Sequence, residues 1–278
     1  MTNTAVDEFA ALWTGHEPDL LTAAVHLARI GYPDLNLSET VEQVEHLGDL
    51  AVLRLEGSPN EHTRLLRFNH FMFEEMGFRG ELTDYYDPRN SFLNDVLTRR
   101  TGLPIALSVL MIVIGGRAGL RISGIGLPAH FVVRHEATDP RNRVYVDPYH
   151  RQILPNREAC RRLVSRIMGE EVQLDESAFQ PQTTKQIIVR MLANLKGAYL
   201  RRFDFSHALT VMDYLLTLLP DDAHQWRDRG LMHYQLGHLR QAEFDLSRYL
   251  WLSDENEEGR ERIVQTYAEI QDRLARLN

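Results

Sequence analysis

The sequence predicts an α+β domain followed by an all-α repeat module, and three observations carry that prediction. Residues 5–80 repeat apolar positions every three to four residues, as amphipathic helices do. Three short alternating runs, LRISGIGL, HFVVRHE and RVYVDPY, then follow a continuous apolar stretch and read as strands. From residue 185 the pattern is helical again, with matched positions at a spacing of 34.

The bulk composition fits that reading. A hydrophobic content of 44% and a charged content of 25% are ordinary for a soluble globular chain of 278 residues. The net charge of −8 argues against general nucleic-acid or anionic-membrane binding, and no DNA-recognition motif is present. The basic pairs Arg99-Arg100, Arg161-Arg162 and Arg201-Arg202 are read as solvated or salt-bridged helix faces. Cys160 is the single cysteine, so no internal disulfide forms and a reducing compartment is expected. The start, MTNTAVDEFAALW, lacks the basic and apolar parts of a secretion signal. The apolar run 103–116, LPIALSVLMIVIGG, is shorter than the ~20 residues that span a bilayer. The expectation is therefore a cytoplasmic protein without a membrane partner.

The elements follow in order. AVDEFAALW, DLLTAAVHLARIGYPDL and SETVEQVEHLGDLAVLRLEG are helices, the third starting at Ser38 with Glu39 and Glu42 behind it. A further helix covers 60–78 and closes at Gly77. The turn-rich DYYDPRNS, 84–91, leads to a helix over 91–100 that Asn90-Ser91 could cap. The buried helix 104–116 is apolar on nearly every side, the pattern of a domain centre. Glycines, Asp139-Pro140 and Asn142 punctuate the strands after it. NREACRRLVSRIMG is a helix, and the aperiodic segment 170–184 is the expected boundary. This gives a first domain over 1–170 and a helical module over 185–278.

Within that module Tyr199 and His233, Ala208 and Ala242, and Pro220 and Asp254 each lie 34 positions apart. The second copy carries Trp226, Gly230, Gly237, Ala242 and Leu246; the first keeps Leu195, Tyr199, Ala208 and Pro220. The pattern resembles two tandem tetratricopeptide repeats with 256–277 as a capping helix. The alternative is an antiparallel bundle with a coincidental period. The small residues Ala208 and Ala242 would let paired helices approach closely. Tyr199, Trp226 and Tyr234 are the candidates for a partner-binding surface, with a protein or peptide as partner.

The middle of the chain carries the chemistry. A buried helix leads into one strand opened by His130 and another closed by Asp147. That order resembles the transglutaminase-like superfamily, whose papain-like core has N-terminal helices. There a cysteine at the start of the central helix is activated by a His on the next strand, and an Asp orients the His. The resemblance places His130 as base and Asp147 as orienting acid. Gly102-Leu103-Pro104 stands where the superfamily has Gly-x-Cys, so Pro104 fills the nucleophile position. The strings NSFLNDVLTRRTGLPIALSVL, GLPAHFVVRH and RMLANLKGAY, followed by the repeats, are similar to the SirB family, from roughly Ala23 to the end. The resemblance implies a transglutaminase-like domain joined to tetratricopeptide repeats, with the missing thiol a trait of that branch, and in some members a regulatory link.

Two other side chains, Cys160 and Ser108, carry a nucleophilic group near this region. Cys160 lies after the Asp strand and reads as a buried structural thiol. Ser108 is one turn beyond Pro104 on the same helix face; with His130 and Asp147 it would complete a serine triad. The alternative for Ser108 is a packed small residue bonded back to the carbonyl of 104. His130, Asp147 and His150 would hold a metal only if a tight turn at Pro148 brought them together, and His135 points to the opposite strand face, so no metal and no cofactor are expected. Arg99 or Arg100 is an expected internal salt-bridge partner, and the turn from Asp84 to Asp87 could line the same groove. The leading expectation is a non-catalytic interaction protein that keeps His130–Asp147 as a strand-to-strand clamp. The alternative is a hydrolase or acyl transferase on peptide or amide bonds.

Overall fold

The computed structural model describes residues 4–139 and 143–277, so the breaks expected at Pro140 and Asn142 lie outside the described residues. The chain divides into two compact units, residues 12–198 and residues 4–11 with 199–277. The division falls inside a helix rather than in the segment 170–184, and the first helix, α1 (Thr4–Leu12), belongs with the repeats. The physical reason is its one fully buried side chain. Phe9 lies 4.6 Å, ring centroid to ring centroid, from Tyr214, and the Tyr214 hydroxyl donates to the Ala5 carbonyl at 3.2 Å.

Side-chain caps start most helices of the larger unit. Asp19 accepts the Thr22 N–H and opens α2 (Leu20–His26). Asn36, not Ser38, caps α3 (Leu37–Leu55): its carbonyl oxygen accepts the Ser38 N–H, and its amide donates to Glu39. Asn60 caps α4 (Glu61–His70), which widens into a π-turn over Phe71–Glu75 before Gly77 ends it at φ +74°. A two-residue strand β1 (Arg79–Gly80) and the short helix α5 (Leu93–Arg99) follow. Strand β2 (Thr101–Gly102) pairs parallel to β1 and delivers the chain to α6 (Pro104–Arg117).

Helix α6 is the centre of this unit. All eight residues from Pro104 to Met111 are buried, as the apolar run predicts. One side meets α3 and the other meets a four-stranded antiparallel sheet, β3 (Ile122–Leu127), β4 (His130–His135), β5 (Val144–Asp147) and β6 (Gln152–Leu154), in that spatial order. Gly115 permits the close approach: an added Cβ would stand 2.6 Å from Ile122 Cδ1. Helix α7 (Arg157–Met168) covers the sheet's other face, where Ile125, Val132, Tyr145, Cys160, Leu163 and Phe179 form one cluster.

The second unit takes the end of α8 (Thr184–Arg201) and then α9 (Phe205–Leu218), α10 (Ala223–Gln235), α11 (Leu239–Leu252) and α12 (Arg260–Ala275). Ala208 and Ala242 are fully buried, and at Gly230 a Cβ would meet Leu246 Cδ2 at 2.7 Å. These are the close helix approaches that the 34-residue pattern requires. Gly237 turns α10 into α11 at φ +77°. Ile263 and Ile270 of α12 complete a cluster with Leu246 and Tyr249, so this helix caps the repeats. No helix among the described residues is long and apolar enough to cross a membrane.

Candidate functional site

The site is built where β4 begins and β5 ends. A tight turn joins β3 to β4, with Ala129 at φ +53°, so His130 enters the sheet at its edge of chain direction rather than mid-strand. The β4–β5 register sets Val133 opposite Val146, which brings His130 and Asp147 to the same end of the sheet. Asp147 then starts a turn through Pro148 and Tyr149 to Arg151, at φ +54°.

Asp147 is fully buried and is held from several directions. One carboxylate oxygen accepts the Tyr149 N–H at 3.0 Å and the His150 N–H at 3.3 Å. The other lies 2.6 Å from His150 Nδ1 and 3.5 Å from Gln152 Nε2. His130 Nε2 stands 3.0 Å from Asp147 Oδ1, an ion-pair distance, without a strict hydrogen bond among the described residues. The contact is therefore an electrostatic approach between a buried imidazole and a buried carboxylate. Burial pushes the Asp147 carboxyl upward, but the two histidines outweigh it and hold the pKa below 3.8.

Tyr149 organises the neighbourhood and was not singled out from the sequence. Its hydroxyl donates to the Glu81 carbonyl, and its ring lies edge-on to His130, His150 and Tyr85 at centroid distances of 6.2, 5.0 and 6.3 Å. Gly80 must be glycine here: a Cβ would meet the Tyr149 ring at 2.5 Å. Burial, then the nearby Tyr85, Glu81 and Asp147, push the phenol up to about 12. The only sequence signal was its place between Asp147 and His150.

Asn90 does not cap a helix. It is fully buried, donating to the Asp84 carbonyl at 2.7 Å and accepting from Arg99 at 3.0 Å; α5 starts at Leu93 without a side-chain cap. Arg99 is the internal partner expected, lying 3.4 Å from Glu81 and 3.8 Å from Asp87. The Leu103 N–H reaches the Asn90 carbonyl at 2.9 Å, so this polar knot holds the loop that presents the start of α6.

Pro104 is the first residue of α6, where its missing N–H forfeits no helical bond. It shares a cleft of about 230 Å³ with Tyr85, Tyr86, His130, Arg190 and Asn194. Position 104 and the base position therefore face one space. Ser108 is not on its lining. That side chain is wholly buried, and its hydroxyl has no hydrogen-bond partner among the described residues, so the expected bond to the 104 carbonyl is not made. Cys160 is also wholly buried, and burial pushes its thiol up to about 12, which leaves it inert.

The turn at Pro148 does bring His130, Asp147 and His150 together, with one ligand atom of each within 4.8 Å of the others. His135 stands apart, beside Glu61, whose charge partly offsets the burial that lowers the imidazole pKa. Two imidazoles and a carboxylate are a donor set suited to zinc or iron. The Tyr149 and His150 N–H groups and the Gln152 amide already donate to the Asp147 oxygens, however, and a metal held by His150 Nδ1 and Asp147 would have to replace their 2.6 Å contact.

The aromatic candidates of the repeat unit are mostly committed internally. Tyr199 is buried and stacks on His207 at 4.9 Å; Trp226 donates to the Pro220 carbonyl, and Tyr234 to Glu269. Among the described residues of this unit the exposed aromatics are Phe203, Phe244 and Trp251, 78%, 58% and 72% exposed; Phe244 and Trp251 lie on α11, with the Arg248 guanidinium 4.7 Å above the Trp251 ring.

Comparison with known proteins agrees with this architecture. A family model of the transglutaminase-like superfamily matches residues 36–193, and a tetratricopeptide repeat model matches residues 195–274. A UPF0162 protein of Xylella fastidiosa is 36% identical over 240 residues, covering 84% of this chain and 83% of the relative. A UPF0162 protein of Vibrio cholerae is 30% identical over 236 residues, covering 85% and 84%. Protein SirB1 of Salmonella typhimurium is 22% identical over 232 residues, covering 84% of each. No solved structure matches the chain. With a transglutaminase-like core around α6 followed in the chain by a helical repeat, the chain belongs to the SirB-like (UPF0162) family of the transglutaminase-like superfamily.

Proposed function

We propose that this protein is a cytoplasmic, non-catalytic interaction protein in which a transglutaminase-like cleft without its nucleophile serves binding. One observation carries the reading: Pro104 occupies the start of α6, facing the cleft that His130 lines. Proline has no group to acylate, and the two alternatives, Ser108 and Cys160, are wholly buried. His130–Asp147 then acts as a clamp between strands. Tetratricopeptide repeats generally mediate protein–protein contact, and Phe244 and Trp251 give this unit an exposed aromatic surface for a partner. A regulatory role is consistent with that arrangement.

A second reading keeps a hydrolase or acyl transferase on peptide or amide bonds. It is favoured by His130 and Asp147 standing 3.0 Å apart beside an open cleft, where His130 could activate a bound water. One pair of experiments separates the two. A fluorophosphonate and amide-substrate screen on wild type and His130→Ala is expected to give neither labelling nor turnover. A pull-down from cell lysate with Phe244→Ala/Trp251→Ala as control is expected to lose a partner. Turnover that disappears in His130→Ala would overturn the interaction reading.

A further inference from the structure

We propose that the cleft beside His130 is a carboxylate-binding subsite, centred on Arg190 and suited to an acidic side chain or chain terminus of a peptide. The inference rests on reading the cleft as a binding surface, and it names the chemistry bound there.

Arg190 projects from α8 and is half-buried. Its Nη2 donates to two carbonyls, Leu127 O and His130 O, each at 2.6 Å. Those bonds brace the turn that delivers His130 and consume both hydrogens of that nitrogen. Nε and Nη1 make no hydrogen bond among the described residues, and no carboxylate lies within ion-pair distance. The guanidinium lies 5.4 Å from the Phe131 ring centroid, which holds its plane but adds no counter-charge. Burial accordingly pulls its pKa down, and Tyr85 is the one group acting against that.

A half-buried cation of this kind ordinarily pairs with an acid. The lining contains none. Tyr85, Tyr86 and Asn194 add hydroxyl and amide groups, and Asn194 sits one helical turn from Arg190 on the same face. Both two-donor edges of a guanidinium include Nη2, whose hydrogens Leu127 O and His130 O already take. Nε and Nη1 therefore remain as single donors, and a carboxylate oxygen would meet Arg190 through one charge-assisted hydrogen bond. At about 230 Å³ the space is smaller than a typical ligand pocket, which favours one side chain or a terminus over a larger ligand.

The test titrates the full-length protein, by amide NMR or calorimetry, with two pairs of small probes. Acetyl-glutamate amide and acetyl-glutamine amide differ only in a side-chain charge; acetyl-alanine and acetyl-alanine amide differ only in a terminal one. At least one charged probe is expected to bind about ten-fold tighter than its neutral counterpart, and which one does so identifies the source of the carboxylate. Arg190→Gln is expected to abolish that preference, while Arg190→Lys keeps the charge and is expected to retain part of it. Equal binding of charged and neutral probes to wild type overturns the proposal, as does inorganic phosphate binding as tightly as the better carboxylate. The wild-type comparison decides even if Arg190→Gln fails to fold through loss of the brace. The partner reading fails separately, because it depends on lysate capture and not on these probes.

Discussion

The strongest single test of position 104 is to put a thiol there. In wild type the only thiol, Cys160, is buried with its pKa pushed up to about 12, so at pH 7 about one molecule in 100,000 carries a thiolate. Pro104→Cys would place a thiol at the first turn of α6, in the cleft that His130 lines. A helix N-terminus and an adjacent imidazolium bring such thiols into the range ~3.5–7.5. At a Brønsted slope of about 0.4–0.5, part of the gain in thiolate is lost to lower nucleophilicity; the net advantage over Cys160 is about 100-fold at pH 7. Access widens the gap, because Cys160 is closed to solvent. Losing the proline's fixed φ costs about 0.5–1 kcal/mol, which this core tolerates. The assay is iodoacetamide alkylation followed by peptide mass spectrometry across pH 5–10, in the Pro104→Cys protein and the same protein with His130→Ala. The alkylation midpoint is expected below pH ~7.5 and should rise when His130 is removed. A midpoint near the free-thiol value of ~8.5, indifferent to His130, would refute the placement of position 104 opposite the base.

Four further outcomes follow from the same geometry. Asp147→Ala strips a fully buried acceptor from the Tyr149 and His150 N–H groups and the counter-charge from two imidazoles, so urea unfolding should show a loss of about 3 kcal/mol. The Asp147 pKa is depressed in the folded state; its contribution is therefore present above the unfolded carboxylate pKa and lost as pH falls below 3.8, and Asp147→Asn should flatten that acid limb of the stability curve. Gly230→Ala forces a methyl to within 2.7 Å of Leu246 Cδ2, and a thermal melt should report about 1–3 kcal/mol of overpacking. Arg229→Met removes the partner of Asp245, at 2.7 and 2.8 Å, and of Asp213, at 2.6 Å, at a cost of about 3–5 kcal/mol; Arg229→Met/Asp245→Leu should restore part of it, with Asp213 still unpaired from Arg229.

Some of this molecule is legible in its sequence because the signal is local. An apolar run too short for a bilayer becomes α6, and alternating residues become β3, β4 and β5, because helix and strand periods need no distant partner to declare themselves. The 34-residue spacing likewise reports a contact repeated at fixed separation, with Ala208, Gly230 and Ala242 at the tight approaches. Other features depend on residues far apart in the chain. Asn90 looks like a cap beside Ser91, but Asp84, Arg99 and Leu103 claim its polar groups first. Nothing near α1 says that Phe9 will meet Tyr214, about two hundred positions on. Tyr199 and Trp226 were legible as repeat residues, and the same regularity that exposes them in sequence commits them to packing.

The candidate site divides along the same line, and the division bears on function. His130, Asp147 and Pro104 come from short stretches whose order is visible in the chain, so a catalytic-looking framework can be read without its surroundings. What the framework does is decided by groups the linear pattern hides: His150 folded back on Asp147 by the turn at Pro148, Tyr149 wedged over Gly80, and Arg190 brought beside His130 from α8. In the proposed binding role, each of these groups would shape the cleft for a partner. His150 and the turn amides share the carboxylate that would otherwise serve His130 alone, and His130 Nε2 reaches it at 3.0 Å without a strict hydrogen bond among the described residues. Catalysis needs that hydrogen bond aligned, since alignment fixes which nitrogen faces the nucleophile. A clamp between two strands needs only proximity and burial, both of which the pair has.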